Sequence, residues 1–336
     1  MSNEIGRQEQ LIALPAPPTV GEALAAAEME AQTGVATEPA AVTSPSPAPA
    51  PTEVPAKKRT RVARPATARG RAIVVTSGKG GVGKTTVTAN LGAALADAGK
   101  RVVVFDADVG LRNLDVVMGL ENRVRMHALD VIEERCELEE ALVRDRVRRS
   151  LVLLPAAQNR DKDEIEPEDM TDLVDELTET YDFVLIDCPA GIEQGFRNAV
   201  VGAQEAIIVT TPEVSAVRDA DRVAGLLPND MPARLIINRL RPGLIKKGTM
   251  MSVDDVLEIL RLDLVGVIPD DKEVIVATNR GNPVIDMPGS VTGQALRRIA
   301  ARLLGEDVPI PDLTERNNWF ASVLSKLNFS RSNAKG

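Results

Sequence analysis

The sequence predicts an α/β fold built on a doubly wound, mainly parallel sheet. Three observations carry this: strand-length apolar runs alternate with helical patterns, a glycine-rich turn joins the first run to the first helix, and composition changes sharply at both ends.

The chain has 336 residues and a formal net charge of −9, a balance that excludes a surface built throughout to hold nucleic acid. No apolar run is long enough to cross a bilayer, and the start lacks a basic segment followed by an apolar one, so a cytoplasmic protein is expected. The Ala-, Pro- and Thr-rich leader has some character of an organellar targeting peptide, but Glu4, Glu9, Glu22, Glu28, Glu30, Glu38 and Glu53 intervene, and such peptides are poor in acids. Cys136 and Cys188 lie far apart without a CxxC or histidine companion, which indicates reduced thiols rather than a disulfide or zinc site.

Residues 1–70 are too poor in large apolar groups to offset ordering entropy and are expected to be a disordered arm. Thr19 and Glu22 allow one transient capped helix within it. The arm ends in a block of Lys57, Lys58, Arg59, Arg61, Arg64, Arg69 and Arg71 without an acid, which suits either a solvated tether or a contact with lipid or nucleic acid. From Ala72 onward AIVVT, RVVVFD, SLVLLP, DFVLID, EAIIVTT, ARLIIN and LVGVIP read as strands buried on both faces. VTGQALRRIAARLLGE reads as a closing helix, and Pro309 and Pro311 then break the chain. The expected divisions are the arm at 1–70, a nucleotide domain at 71–305, a linker at 306–317 and a helix at 318–330.

Directly after the first strand come Gly78, Lys79, Gly80, Gly81, Val82, Gly83, Lys84, Thr85 and Thr86, which satisfy GxxxxGK[ST] and lead into VTANLGAALADAG. Strand, loop and helix together define a P-loop nucleoside-triphosphatase, a strong signal. Glycines let backbone N–H groups close around phosphates, and the helix N-terminus adds its dipole. Lys84 is expected to pair with the β and γ phosphates and Thr85 to ligate Mg²⁺. The second strand ends in Phe105, Asp106, Ala107 and Asp108 at the carboxyl edge, where two acids one residue apart suit a metal shell and an attacking water, or simply cap the strand. In YDFVLID four apolar residues deliver Asp187, the Walker B pattern, followed by Pro189, Ala190 and Gly191 as a γ-phosphate-sensing switch. His127 stands alone on an expected helix and reads as a surface or capping residue.

Lys79 within KGGVGKT resembles the deviant Walker A motif of the ParA/MinD ATPases, in which that early lysine reaches the partner's nucleotide across a dimer interface. GLRNLDVVMGL, RDKD at 160–163, CPAGIEQGFRNA, PEVSAVRDADR, INRLRP and MMSVDDVLEIL resemble the MinD septum-site-determining ATPases, most nearly the cyanobacterial and plastid branch. The resemblance covers residues 72–304 and the tail, and the long leader departs from it. It implies that Asp106 sits near the metal, that Asp108 orients the hydrolytic water, and that Asn238, with Arg239 beside it and Pro269 and Asp270 opposite, lines the adenine. It also implies an ATP-bound homodimer, recruitment of MinC, which inhibits FtsZ assembly, and stimulation of hydrolysis by MinE, with Glu213, Ser215, Asp219 and Asp221 on the matching helix. Those acids also have a plainer reading, as helix N-terminal charges that complement the dipole, above which the resemblance raises Asp219. The alternative function is that of a ParA-type partition ATPase binding nonspecific DNA through the basic block.

In the tail, Trp319, Phe320, Val323, Leu324 and Leu327 fall within about 140° of arc at helical spacing. Beyond Thr314, Arg316, Lys326, Arg331 and Lys335 face one acid, Glu315. In a chain with 2% aromatic residues, this cluster after a proline break predicts a reversible peripheral contact with anionic lipid on the inner face of the cell membrane rather than packed core.

Overall fold

The computed structural model describes residues 69–110, 112–157 and 166–313. The arm up to residue 68, the RDKD stretch and the amphipathic tail lie outside them.

The strands are β1 (Arg71–Thr76), β2 (Val102–Asp106), β3 (Val143–Arg144), β4 (Leu151–Leu154), β5 (Phe183–Asp187), β6 (Glu205–Thr210), β7 (Ala233–Leu240) and β8 (Asp263–Pro269). They form one sheet in the order β3-β4-β2-β5-β1-β6-β7-β8. All neighbours are parallel except β3 and β4. All seven expected strands are present. The additional β3 is a two-residue edge strand with one exposed arginine, too short to register as a pattern.

Both faces are covered. Ala72 and Val74 point into one core, which holds Leu173, Leu177, Phe196, Val217 and Val223, while Ile73 and Val75 point into the other, with Val87, Leu91, Leu95, Leu296 and Ile299. Double coverage is why the strands read as unbroken apolar runs. The helices that position the site are α1 (Lys84–Asp97), α2 (Leu114–Val117), α3 (Ala128–Ile132), α4 (Leu138–Ala141), α5 (Pro167–Thr180), α6 (Gln194–Val201), α7 (Val214–Ala224), α8 (Pro242–Ile245), α9 (Val253–Leu260), α10 (Glu273–Asn279) and α11 (Val291–Leu303). The expected closing helix is α11, capped by Ser290, whose Oγ accepts the Gly293 N–H at 3.0 Å. Gly92 on α1 lets the helix lie against β2 and β4, since a Cβ there would come within 2.5 Å of Val104 Cγ1.

The first half of the expected linker is held to the domain: the Arg302 guanidinium bonds the carbonyls of Val308 and Pro309, and Ile310 and Leu313 pack on the core. Among the described residues no helix is long and apolar enough to cross a membrane.

Candidate nucleotide site

β1 ends at Thr76 and α1 begins at Lys84, so residues 77–83 form a loop at the carboxyl edge of the central strand. Gly81 and Gly83 have φ of 78° and 100°, values that glycine adopts without a Cβ penalty and that turn the backbone into a phosphate-sized cradle. Lys84, first residue of α1, is buried, and Ser77 Oγ donates to Lys79 O at 2.8 Å to fix the loop's entry. Gly83 is pressed against Asn238, whose Nδ2 would lie 2.4 Å from an added Cβ.

Asp106 and Asp187 are register partners at the ends of β2 and β5, and both are buried. Burial first, and then the charge of Asp187, pushes the Asp106 carboxyl up to about 8. Burial also raises Asp187, to about 6, against the opposing pull of Thr85, Lys84 and Thr88. Thr88 Oγ1 lies 3.2 Å from Asp187 Oδ1. Asp106 Oδ1 accepts the Asp108 N–H at 3.0 Å and Oδ2 accepts the Leu114 N–H at 3.2 Å, so this side chain fixes both Asp108 and the start of α2. Among the described residues no group of three or more His, Cys, Asp or Glu is placed to hold a metal. Two adjacent buried carboxyls with raised proton affinity, beside the Thr85 hydroxyl, nevertheless suit a hard divalent cation that takes few protein ligands and keeps its waters and substrate phosphates.

The four residues expected around the base converge. Asn238 and Arg239 lie near the end of β7, Pro269 closes β8, and Leu240 pairs with Pro269. Asn238 is buried, with Nδ2 donating to Val82 O at 2.7 Å and Oδ1 accepting the Arg239 N–H, so it ties the phosphate loop to β7. Arg239 has φ of 57° where the β7–β8 register shifts, and Asp270 pairs with Arg241 at 2.7 Å.

Helix α7 flanks the loop. Lys79 Nζ lies 3.3 Å from Glu213 Oε2 and 3.1 Å from Ser215 Oγ. Farther along, the Asp219 backbone carbonyl would stand 2.2 Å from a Cβ on Gly78. The Asp219 carboxylate is partly exposed, 3.7 Å from Arg222, and Asp221 is exposed. The turn after β5 adjoins the loop, where Ala190 Cβ would lie 3.8 Å from a Cβ added at Gly80.

His127 precedes α3, where its backbone N–H donates to Asp130 Oδ2 at 2.9 Å, in keeping with a capping residue. Cys188 is buried and Cys136 half-buried, both free. No motif in the sequence marks Thr88 or Leu114. Thr88 follows Lys84 by one helical turn, which puts its hydroxyl on the same face of α1, a signal that would have found it. Leu114 contributes only its main chain and leaves none. Trp319, Phe320, Val323, Leu324, Lys326 and Leu327 lie outside the described residues.

A family model described as the CobQ/CobB/MinD/ParA nucleotide binding domain matches residues 73–284. The septum site-determining protein MinD of Synechocystis sp. is 57% identical over 251 residues, covering 74% of this chain and 94% of that protein. Its namesake in Bacillus subtilis is 55% identical over 252 residues, covering 74% and 94%. A solved chain of the MinC:MinD cell division protein complex of Aquifex aeolicus superposes with a TM-score of 0.68 at 46% identity, covering 72% of this chain and 99% of that one. The septum site-determining protein MinD of Pyrococcus horikoshii, solved with Mg-ADP, gives 0.65 at 30% identity, covering 71% and 100%. With phosphate loop, paired strand-end carboxyls and flanking α7 in one site, and relatives of this identity spanning the whole domain, the chain belongs to the MinD family of septum site-determining, nucleotide-binding ATPases.

Proposed function

We propose that this chain is an ATP-switched homodimer that associates reversibly with the inner face of the cell membrane, recruits a MinC-type inhibitor of FtsZ assembly to position the septum, and is released when a MinE-type partner stimulates hydrolysis. The observation that carries this reading is the placement of Lys79. Its ammonium lies on Glu213 and Ser215 at the start of α7 rather than folded into its own phosphate loop. A lysine held by a weak exposed pair at the rim is available to a second subunit's nucleotide.

Lys84 would neutralise the β and γ phosphates of ATP from within the loop, and Lys79 would do so from the partner, giving a dimer-dependent site of electrostatic stabilisation. Thr85 and Asp187 would hold Mg²⁺, with Asp106 beside them. Bound there, the ion supplies charge neutralisation on the phosphates. Asp108 would orient the attacking water, its backbone fixed by Asp106. Asn238, Arg239, Pro269 and Asp270 would enclose the adenine. Glu213, Ser215, Asp219 and Asp221 would form the partner face, and release of Lys79 from Glu213 and Ser215 would change that face on nucleotide binding. The domain at 71–305 carries this chemistry, residues 306–317 link it, and residues 318–330 insert Trp319, Phe320, Val323, Leu324 and Leu327 into lipid with Lys326 at the headgroups. One such tail is a weak anchor, and dimerisation presents two, raising avidity by roughly 10²–10⁴.

The test is cosedimentation of the full chain with anionic vesicles in ATP and in ADP. ATP-dependent binding is expected, lost on deletion of residues 317–336 and nearly lost with Leu324→Glu, while nucleotide affinity and circular dichroism are unchanged. ATP-dependent, salt-sensitive retention of DNA without vesicle binding would favour the partition-ATPase alternative.

A further inference from the structure

Asp106 and Asp187 stand side by side at the ends of β2 and β5, yet their carboxyls are held in different ways. Asp106 is fixed by main chain, through the Asp108 and Leu114 N–H groups. The backbone at Asp187 is tied to both neighbouring strands: its carbonyl accepts the Ala107 N–H at 3.0 Å, and the Cys188 N–H donates to Val75 O at 3.1 Å. Its carboxyl, by contrast, is held by two hydroxyls of α1, those of Thr85 and Thr88.

These threonines are three residues apart and share one face of the helix. Thr85 is half-buried and is the residue proposed to ligate Mg²⁺. Thr88 lies one turn farther in and is completely buried, so no water competes for its hydroxyl. Its Oγ1 is 3.1 Å from the Lys84 carbonyl and 3.2 Å from Asp187 Oδ1. A helical threonine can satisfy its hydroxyl on the carbonyl four residues back and needs no other partner. Here a carboxyl oxygen stands at almost the same distance, and an ionised acceptor makes the stronger bond. Anchoring Oδ1 fixes the rotation of the carboxylate, and with it the direction in which Oδ2 is offered.

We propose that Thr88 is a positioning residue of the cation site, its hydroxyl holding Asp187 Oδ1 so that Oδ2 is already set for the Mg²⁺ shell. The inference rests on the proposed role of Asp187 and Thr85 at Mg²⁺. Thr88 has no exposed surface to offer a nucleotide, so it acts through Asp187. A preset carboxylate loses less freedom when the cation arrives, so the hydroxyl favours the cation specifically and nucleotide alone gains little from it. Valine has the shape of threonine without the hydroxyl, and serine has the hydroxyl without the methyl. The two substitutions therefore separate packing from positioning.

The test measures ADP affinity of the full chain in EDTA and in Mg²⁺ and takes the ratio as the gain that the cation brings. Thr88→Val is expected to cut this gain about five-fold or more, and Thr88→Ser to keep it within about two-fold of wild type. In an Asp187→Asn background Thr88→Val should change the gain no further, because the carboxylate that it positions is gone. An undiminished gain in Thr88→Val overturns the inference, as does an equal loss in Thr88→Ser or an additional loss on top of Asp187→Asn. Weaker ADP binding in EDTA with an unchanged gain also overturns it, and assigns Thr88 to the phosphate loop through the Lys84 carbonyl. Should Thr88→Val fail to fold by circular dichroism, Thr88→Ala carries the same comparison. Wild type that gains nothing from Mg²⁺ overturns the reading of Asp187 at the cation, and this inference with it.

Discussion

Lys79 and Glu213 meet 3.3 Å apart, Nζ to Oε2, joining the phosphate loop to the first turn of α7 within one chain. Both side chains are substantially exposed, at 41% and 58%, so the pair is worth about 0.2–1 kcal/mol and is readily exchanged for another partner. Removing the competitor should help the lysine's proposed action across a dimer. Glu213→Ala is expected to tighten ATP-dependent dimerisation by up to about five-fold, and Lys79→Ala to abolish it while sparing mononucleotide binding. Sedimentation velocity in ATP decides this: a Lys79→Ala chain that dimerises normally removes the lysine from the interface.

Asp108→Ala should bind ATP and hydrolyse it at least about ten-fold more slowly, because the residue is proposed to orient water rather than hold nucleotide. Dimers should then persist in ATP. Single-turnover rates at wild-type level would exclude Asp108 from the chemistry.

Asp106 and Asp187 give the nucleotide-free protein a distinctive pH dependence. Both carboxyls are raised, by burial first, to about 8 and about 6, so between the ordinary value of 3.8 and these values the folded chain keeps protons that the unfolded chain releases. Their contribution to stability is therefore full at low pH and falls as pH climbs through about 6 and toward about 8. The slope of Tm against pH, measured without nucleotide or Mg²⁺, should flatten in Asp106→Asn whatever its absolute Tm. An unchanged slope would mean that Asp106 titrates normally.

Arg148 is 7% exposed and holds Asp97 at 2.7 Å and Asp286 at 2.5 Å, joining the end of α1 to the turn before α11. Arg148→Ala should cost about 2–4 kcal/mol, less than a fully buried pair because both carboxylates are partly solvated. Burial, the largest single influence, pushes the Asp97 carboxyl up, but the hydrogen bonds and charges of Arg148 and Arg297 together hold it below its ordinary value, so its share of the stability is present at neutral pH and lost as pH falls through that lowered value. Urea titration of both chains measures the difference, and a gap under about 0.5 kcal/mol contradicts a structural role.

Burial pushes the Cys188 thiol up to about 12, which leaves almost no thiolate at neutral pH. In the native protein a disulfide reagent should titrate Cys136 alone, and both cysteines only after unfolding. Rapid loss of Cys188 would show that the turn after β5 opens.

The sequence disclosed what depends on neighbours along the chain. Seven strands were legible because burial on both faces makes continuous apolar runs, and Lys84, Thr85 and Asp187 because their spacing follows from a strand, a loop and a helix. β3 escaped because two residues cannot form a pattern. The Lys79–Glu213 contact spans 134 residues, and the bond from Asn238 to Val82 spans 156, so neither leaves a periodic trace. The basic block read as one feature until the fold took Arg69 and Arg71 for itself.

A Cβ on Gly78 would stand 2.2 Å from the carbonyl oxygen of Asp219 and 2.6 Å from its Cβ, so the loop lies close against the backbone of α7. Long side chains have rotamers that absorb small displacements, and a backbone approach this close has none. The position therefore admits no side chain: even alanine would have to push the helix away from the phosphate loop.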